Sequence, residues 1–327
     1  MERLVAIKDV IAAVPQAQEW PEVLDMISRF RPTSSISYMD YPLRASQAVG
    51  GRPDAALPGA AAIYCMLTSI HLVDDLLDED PRGIHHEWGV GRAANLALAL
   101  QGMASQIIER DTTLDPACRA AIHRSLTNMA IDTAYGQHLD VDTLDSEAAY
   151  WRVIERKTPP LLSSALYVGV RLGGGDHAVG EALATLGRDV GLMVQVQDDL
   201  GDAMAQPARP DWARRCNNLP ILYGVTADYA ERDTFLALLD DLDADDHLAR
   251  AQEILVRCGA VSYCLYRMLG FFHAAKRTLD AVALVDEQPI REIIEQQIAP
   301  MRHLFDSLGF TDWDGLVAST ADASASG

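Results

Sequence analysis

The sequence predicts an all-α protein, and three observations support that prediction. Apolar residues recur three and four positions apart along almost the whole chain, which is the spacing of helices that bury one face. No convincing series of alternating apolar and polar residues indicates a β-sheet. Two segments, AAAIYCMLTSIHLV and DVGLMVQVQ, are apolar nearly all round, as expected of helices in the middle of a bundle.

The helices should follow one another with short breaks between them. The breaks are polar or rich in Gly and Pro: GGRPD precedes the first apolar helix, LGGGDH precedes the second, and AQPARPDW follows it. Pro159 and Pro160 should kink the long helix in which they lie. The expected helices, in chain order, are 4–13, 18–30, 57–80, 91–110, 115–140, 146–172, 177–205, 218–226, 231–240, 246–258, 262–283 and 288–308.

The chain should form one domain over residues 1–310, followed by a disordered tail over 311–327. A chain of 327 residues with 49% apolar content can bury a large core. No break between the helices is long enough to be a linker between domains. The final segment STADASASG is small and polar, which is typical of disorder.

Composition limits the compartment and the partners. We expect no stretch of about 18 apolar residues to span a bilayer, and MERLVAIKDV lacks the order of a signal peptide, so a cytoplasmic protein without stable membrane insertion is expected. Five cysteines without a CxxC pair indicate reduced thiols. A net charge of −20 argues against nucleic acid or an anionic membrane as a partner. Any phosphorylated ligand must therefore be held by local cations or bound metal.

The same acidic spacing closes both apolar helices. Residues at i, i+1 and i+4 fall within an arc of about 100° on a helix, so three carboxylates there repel one another. A hard divalent cation removes that repulsion, and Mg²⁺ combines carboxylates with water and phosphate oxygens. A pair of solvated helix ends is the alternative. The candidate metal ligands and catalytic residues are Asp74, Asp75 and Asp78 in DDLLD, and Asp198, Asp199 and Asp202 in DDLGD.

From about residue 37 to residue 225 the chain resembles the trans-prenyl diphosphate synthases, the polyprenyl synthetase family of isoprenoid synthases. In that family both aspartate-rich motifs bind Mg²⁺ ions that hold and ionise an allylic diphosphate. The resemblance implies a single-domain helix bundle with a central apolar cavity. It also implies Mg²⁺ as cofactor, an allylic prenyl diphosphate as substrate and a homodimer.

Further residues match the family's motifs and are implied to bind substrate. PRG resembles the end of its RRG, HHEWG its His-x-x-aromatic-Gly segment, GQHLD its Gly-Gln segment, RKTPPLL its Lys-Thr motif, and VQVQDD its Phe-Gln-x-x-Asp-Asp. NNLPILY matches the segment after its lysine-bearing loop. The implied residues are Arg82, His85 with Trp88, Gln137 with Asp140, Lys157 and Thr158, Gln195, and Asp211.

Each of these residues has a simpler alternative. Arg82 could pair with Glu79 or Asp80 as a surface salt bridge worth about 0–1 kcal/mol. Lys157 could be exposed, and His85 could be an ordinary loop histidine. A buried Gln195 would need a partner, which a neighbouring side chain could supply as well as a ligand.

The sequence departs from the family at the second diphosphate site. The family carries Gly-Gly-Lys-Arg-x-Arg-Pro, which binds the diphosphate of isopentenyl diphosphate, where this chain has SSISYMDYPLRAS with only Arg44 basic. The loop after the second motif is short, and Cys216 stands where its usual last lysine would be. The candidate replacements are Arg44, Arg209, Arg214 and Arg215.

The expected function is therefore prenyl transfer from an allylic diphosphate to an acceptor, with weak use of isopentenyl diphosphate. The alternatives are a terpene cyclase, an ordinary chain-elongating synthase, or a non-catalytic subunit that tunes a synthase. In the family the residue five before the first motif often closes the pocket with an aromatic ring. Here that residue is Ser69, followed by Ile70, so an open groove that accepts farnesyl or longer chains is expected.

Overall fold

The computed structural model describes residues 2–29, 36–214, 217–242, 244 and 246–307, and within these ranges the chain forms helices and no strand. The all-α prediction is confirmed. The α-helices are α1 (Glu2–Ala12), α2 (Pro15–Gln18), α3 (Pro21–Arg29), α4 (Asp40–Ala48), α5 (Leu57–Leu77), α6 (His85–Trp88), α7 (Val90–Glu109), α8 (Pro116–Asp140), α9 (Glu147–Lys157), α10 (Pro159–Leu172), α11 (His177–Ala203), α12 (Asp211–Arg214), α13 (Leu219–Thr226), α14 (Arg232–Leu239), α15 (His247–Arg257), α16 (Ala260–Ala281) and α17 (Gln288–Ser307). A single 3-10 turn, Pro53–Ala56, precedes α5.

The predicted helix boundaries need four corrections. The range 18–30 shortens to α3, and the short helix α2 before it was missed. The range 146–172 divides at Thr158 into α9 and α10, since Pro159 and Pro160 cannot donate the next helical hydrogen bonds. Helix α4 was not predicted, because its apolar residues are interrupted by polar ones and a proline. The very short helices α6 and α12 were also missed. The predicted tail over 311–327 lies outside the described residues.

Helix α5 runs through the middle of the bundle. It is buried almost continuously from Gly59 to Ser69, because α1, α4, α7, α8 and α10 all contact it. Its apolar run corrects one expectation: the segment Asp54–Leu77 is long and apolar enough, by length and composition, to cross a membrane. Its most apolar 18-residue window is 67% buried inside the fold, which is the pattern of a core helix.

Helices α10 and α11 pack with their backbones in contact, and this contact positions the site. A Cβ added to Gly191 would lie 2.6 Å from the Cα atom of Pro159, and one added to Gly187 would lie 2.7 Å from the carbonyl oxygen of Leu162. Glycine at both positions lets the two helices approach without a side chain between them. Lys157 and Thr158, just before α10, are thereby held next to the acidic end of α11.

The core has two parts. The main cluster is built from α1, α3 to α5, α7 to α11, α16 and α17, and a smaller cluster around Trp212 and Phe235 packs under α12 to α15. The four cysteines in the described chain, Cys65, Cys118, Cys258 and Cys264, are free thiols, as expected. Asn218, fully buried, caps α13 and donates hydrogen bonds across to α11 and α12, which ties the smaller cluster to the end of α11.

Candidate active site

A cavity of about 270 Å³ opens where the two acidic helix ends meet. Its inner wall is apolar and includes Leu67, Ile70, Leu161 and Val194. Its outer wall is acidic and carries residues of both motifs together with Lys157. The charged mouth is as the sequence predicts, whereas most of the lining is polar and the apolar part is limited to a patch formed by these four residues.

The two motifs present their first and last aspartates to this cavity. Asp74 and Asp78 line it from α5, and Asp198 and Asp202 line it from α11. These pairs are four residues apart and so lie one turn above the other on the same helix face. The middle aspartates are placed differently, so the expectation of three carboxylates pointing to one side holds only in part.

Asp75, the middle residue of the first motif, lies beside Asp80 and the rings of His71 and His85. Burial raises the pKa of Asp75, and the negative charge of Asp80 raises it further. Asp75 is absent from the cavity wall. The structure therefore separates it from Asp74 and Asp78.

Asp199, the middle residue of the second motif, is 4% exposed and reaches the back of the cavity wall. Its Oδ2 atom accepts hydrogen bonds from the Tyr150 hydroxyl at 2.5 Å and the Leu219 amide at 2.8 Å. Its Oδ1 atom accepts one from Gln195 at 3.1 Å. Burial nevertheless raises the pKa of Asp199 to about 7. Because both carboxylate oxygens accept hydrogen bonds from the protein, Asp199 stabilises the cavity wall from its protein side.

Asp198 is the residue most clearly directed at the cavity. Its side chain is exposed toward the cavity. The surrounding cavity wall raises the pKa of Asp198 to about 6, and the like charge of Asp202 adds to the effect, while Lys157 opposes it. A carboxylate in such surroundings is stabilised by any cation that joins it.

Lys157 is the cation of the cavity wall. Its Nζ atom donates to Oδ2 of Asp140 at 2.6 Å, and Asn217 donates to Oδ1 of the same carboxylate at 3.1 Å. Burial lowers the pKa of Lys157, but the negative charges of Asp140 and Asp74 outweigh it and the pKa is raised. Lys157 therefore stays protonated, and the alternative of an exposed lysine is excluded.

Polar side chains connect the kink between α9 and α10 to both motifs. The Thr158 hydroxyl donates to Oε1 of Gln195 at 3.1 Å, and Gln195 in turn donates to Asp199. On the opposite wall Gln137 donates to Oδ1 of Asp74. The structure brings these predicted residues together, and neighbouring side chains satisfy the buried Gln195.

Arg82 and His85 do not line the cavity. Arg82 forms a bidentate pair with Asp80, at 3.1 and 2.7 Å, and its side chain is 75% exposed, so the geometry matches the surface salt bridge considered for it. His85 is buried against the ring of His86, and Gly83 leaves the space that its ring occupies. Both residues support the loop that follows the first motif.

The arginines considered as replacements for the missing basic segment differ in their location and partners. Arg44 pairs with Glu292 at 2.5 Å and donates to the carbonyl oxygen of Pro289, so its charge is used to bind α4 to α17. Arg209 lies at the mouth, 3.7 Å from Asp202. Arg215 and Cys216 lie outside the described residues, as does the side chain of Arg214.

The two residues expected to set the pocket depth also differ. Ile70 lines the cavity. Ser69 is fully buried and accepts a 3.1 Å hydrogen bond from Gln101 of α7, so it faces the contact between α5 and α7. A small residue at this position does not by itself leave the groove open, because Gln101 fills the neighbouring space.

Several residues of the site were not singled out from the sequence. Tyr38 lines the cavity next to the second motif, and burial raises its pKa. Tyr150 and Asn218 hold Asp199, and Asn217 holds Asp140. The segment NNLPILY carried a signal for the two asparagines. Tyr150 stands in ordinary amphipathic helix text, and nothing in the sequence marks it.

The donor chemistry of the cavity suits a hard cation. Carboxylate oxygens dominate its mouth, and Asp198 and Asp202 repel each other there, so a cation would offset their negative charge. Within the described residues no three His, Cys, Asp or Glu side chains lie close enough to hold a metal ion by themselves. A Mg²⁺ ion there would need additional oxygen ligands from water or substrate, and Mg²⁺ sites in proteins usually include such ligands.

Comparison with known proteins decides the family. A family model described as polyprenyl synthetase matches residues 29–255. The chain belongs to the polyprenyl synthetase family. One similar relative is a short chain isoprenyl diphosphate synthase of Methanothermobacter thermautotrophicus, 28% identical over 80% of this chain and 84% of the relative. Another is a geranylgeranyl diphosphate synthase of Methanosarcina mazei, 26% identical over 73% of this chain and 76% of the relative.

Solved structures give the same fold to this polyprenyl synthetase. The geranylgeranyl pyrophosphate synthetase of Pyrococcus horikoshii superposes with a TM-score of 0.79 at 21% identity, covering 90% of this chain and 94% of that one. A polyprenyl synthetase of Streptomyces coelicolor superposes with a TM-score of 0.73 at 20% identity, covering 89% and 94%. Family membership makes the chain an enzyme of the prenyl-transferring class, and the isoprenoid synthase bundle expected from the sequence is confirmed.

Proposed function

We propose that this chain is a Mg²⁺-dependent prenyltransferase that ionises an allylic prenyl diphosphate and passes the prenyl group to an acceptor. The observation that carries the proposal is the meeting of two pairs of carboxylates, Asp74 with Asp78 and Asp198 with Asp202, at one cavity that also has an apolar patch. Such a mouth repels a diphosphate unless cations intervene. The apolar patch suits a hydrocarbon chain.

Mg²⁺ held by Asp74, Asp78, Asp198 and Asp202 would supply positive charge to the leaving diphosphate. The remaining work belongs to the chain. Protonated Lys157, fixed by Asp140, adds a cation that can donate a hydrogen bond to a phosphate oxygen. The apolar wall, including Leu161, keeps water from the carbocation formed when the carbon–oxygen bond breaks.

The acceptor site supports weak use of isopentenyl diphosphate. Among the described residues that line the cavity, Lys157 is the one Lys or Arg, and it is committed to the carboxylates of the first diphosphate site. Arg44 is held by Glu292 and cannot replace the family's basic segment. Tyr38, from the segment SSISYMDYPLRAS that stands in place of the family's basic segment, lines the cavity without a positive charge.

Two catalytic alternatives share this geometry. An ordinary chain-elongating synthase agrees with the names of the relatives, and its second diphosphate site would need cations other than Arg44. A terpene cyclase would use the same ionisation and no acceptor. A non-catalytic subunit has no use for four aspartates and a charged Lys157 at a cavity mouth.

We also propose a homodimer working in the cytoplasm. Helices α7 and α8 expose large apolar side chains that a monomer would leave in water: Leu98 is 68% exposed and Ile131 is 62% exposed. Tyr135, one turn after Ile131, is 49% exposed. A face of this kind is typical of a protein–protein contact. Light scattering of wild type against Leu98→Lys would test it.

The function is tested by incubating the protein and Mg²⁺ with geranyl, farnesyl and geranylgeranyl diphosphates, each with and without isopentenyl diphosphate. Mass spectrometry identifies the products. Asp74→Ala and Asp198→Ala should each lower turnover by orders of magnitude, while Asp233→Ala, an exposed aspartate on α14, should not. Unchanged turnover in EDTA would exclude the metal. Efficient elongation at low isopentenyl diphosphate concentration would establish an ordinary synthase.

A further inference from the structure

A second cavity lies away from the acidic mouth. It is an open groove of about 730 Å³ between α8, α10 and α11 on the outer side of the bundle. Helix α10 separates it from the catalytic cavity: Leu161 faces the catalytic side, while Pro160 and Ser163 face the groove. Pro159, which directly follows Lys157 and Thr158, is part of the groove floor.

The groove has the opposite electrostatic character to the catalytic cavity. Seven aspartates and one lysine line the catalytic cavity. Four arginines line the groove, Arg124, Arg156, Arg171 and Arg188, against the three carboxylates of Asp132, Glu155 and Glu181. In a chain with a net charge of −20, this is a local concentration of positive charge.

Two of the three carboxylates already have partners. Glu155 accepts a hydrogen bond from Arg188 at 2.8 Å, and Glu181 lies 3.7 Å from His177. Within the described residues no carboxylate forms a salt bridge with Arg124 or Arg171. One nitrogen of the Arg171 guanidinium donates to the carbonyl oxygen of Gly175 at 2.9 Å, and its Nε atom is enclosed by protein. The donors left for a ligand are therefore the N–H groups of Arg171 and of the exposed Arg124 that face the groove.

The chemistry of these two side chains suits a phosphate group. The guanidinium presents several N–H donors in a fixed plane, which matches the oxygens of phosphate and diphosphate. Ser163 adds a hydroxyl to the groove, while the Ser125 hydroxyl is paired with that of Ser164 at 2.9 Å, and Met129 and Pro159 are buried beneath the lining. The lining therefore fits an anionic group.

We propose that this groove is a second, metal-independent binding site for a diphosphate group, with Arg124 and Arg171 as its principal ligands. The choice of diphosphate among phosphorylated ligands rests on the proposed function, because that reaction binds a prenyl diphosphate and releases inorganic diphosphate. The site differs from the catalytic one in its charge. The catalytic mouth needs a cation before it can hold diphosphate, whereas the groove supplies its own cations.

Isothermal titration calorimetry in EDTA tests the proposal, since removal of metal leaves the acidic mouth repulsive to anions. The probes are inorganic diphosphate and farnesyl diphosphate, titrated separately into the full-length protein. Wild type should bind inorganic diphosphate with one site per chain. Farnesyl diphosphate should bind with a similar affinity, because Met129 and Pro159 are buried and the groove recognises the diphosphate alone.

The variant Arg124→Ala/Arg171→Ala should weaken this binding at least tenfold. Arg250→Ala, an exposed arginine paired only within α15, is the matched control and should bind as wild type does. Arg124→Lys/Arg171→Lys keeps the charge and the fold and loses the planar fork, so an intermediate affinity is expected. Thermal melts show whether each variant is folded.

Absence of metal-free binding to the wild type, or equal binding by the double alanine variant and the control, would overturn the site. The result is independent of the catalytic proposal. A protein that binds diphosphate in EDTA but turns over no allylic substrate with Mg²⁺ would keep the groove and refute the activity. The reverse combination would keep the activity and refute the groove.

Discussion

The hydroxyl of Tyr150 donates a 2.5 Å hydrogen bond to Oδ2 of Asp199, in a place where neither residue contacts bulk water. Tyr150 belongs to α9 and Asp199 to α11, so the bond joins the helix that precedes Lys157 to the helix that carries the second acidic motif. Burial raises the pKa of Tyr150 and the negative charge of Asp199 raises it further, which keeps the hydroxyl protonated as a donor.

Tyr150→Phe should therefore destabilise the protein by about 1–3 kcal/mol, because a charged acceptor loses one of its donors inside the fold. Chemical denaturation measures the change. Tyr266→Phe, at a tyrosine that is 45% exposed, is the control and should change the free energy of unfolding by less than about 0.5 kcal/mol. Equal stabilities for the two variants would show that the Leu219 amide and Gln195 suffice for Asp199.

The pair formed by Lys157 and Asp140 should be coupled. Lys157→Ala removes the partner of a largely buried carboxylate, and the expected loss is about 3 kcal/mol of unfolding free energy together with most of the turnover. Asp140→Asn should restore part of the stability in the Lys157→Ala background and none of the turnover. A double-mutant cycle with additive stabilities would contradict the coupling.

A pH dependence is expected from Asp189, which is 8% exposed on α11 outside both acidic motifs. Burial raises its pKa from 3.8 to about 6, while Arg188 and Arg277 oppose the shift. The folded protein therefore binds more protons than the unfolded chain between these values, so stability should fall as the pH rises through this window.

Asp189→Asn removes this penalty. It should stabilise the protein above about pH 6 by on the order of 2 kcal/mol, and the difference should vanish below about pH 4. Urea unfolding across the pH range measures it, with the exposed Asp233→Asn as control. A constant difference between the variants at all pH values would assign the effect to packing.

Chain-length selection should respond to Ile70 more clearly than to Ser69. The sequence alone favours Ser69→Phe as the substitution that shortens the pocket. However, Ser69 is buried against Gln101, so a larger side chain there should cost about 1–3 kcal/mol of stability. Ile70→Phe enlarges a residue of the cavity wall itself. It should shift preference toward shorter allylic diphosphates in competition assays, and an unchanged product profile would place the floor of the pocket elsewhere.

The sequence was sufficient for the features that follow from repetition and charge. Helical periodicity predicted the bundle, and the acidic ends of α5 and α11 predicted where the cavity opens. It could not separate Asp74 from Asp75 or Asp198 from Asp199, because neighbouring positions on a helix end can face either a cavity or a neighbouring helix. Only the packing of α9 and α13 against α11 decides that Asp199 is enclosed.

The remaining differences also depend on contacts between distant segments. Arg44 lies close in sequence to the position of the family's basic segment, yet it forms a salt bridge with Glu292, 248 residues later. Arg82 finds its partner two residues away, at Asp80. Nothing local distinguishes these two fates, since an arginine side chain can reach either a neighbour or a ligand.

The close approach at Gly191 means that the width of the catalytic cavity is controlled from a position that does not line it. A single methyl group there would have to push Pro159 outward, and Lys157 and Thr158 would move with it, away from Asp198. Two enzymes with identical lining side chains but different residues at 191 would therefore hold the leaving group at different distances from the second acidic motif. Substrate range in this scaffold can be altered by spacing as well as by the shape of the side chains that the substrate meets.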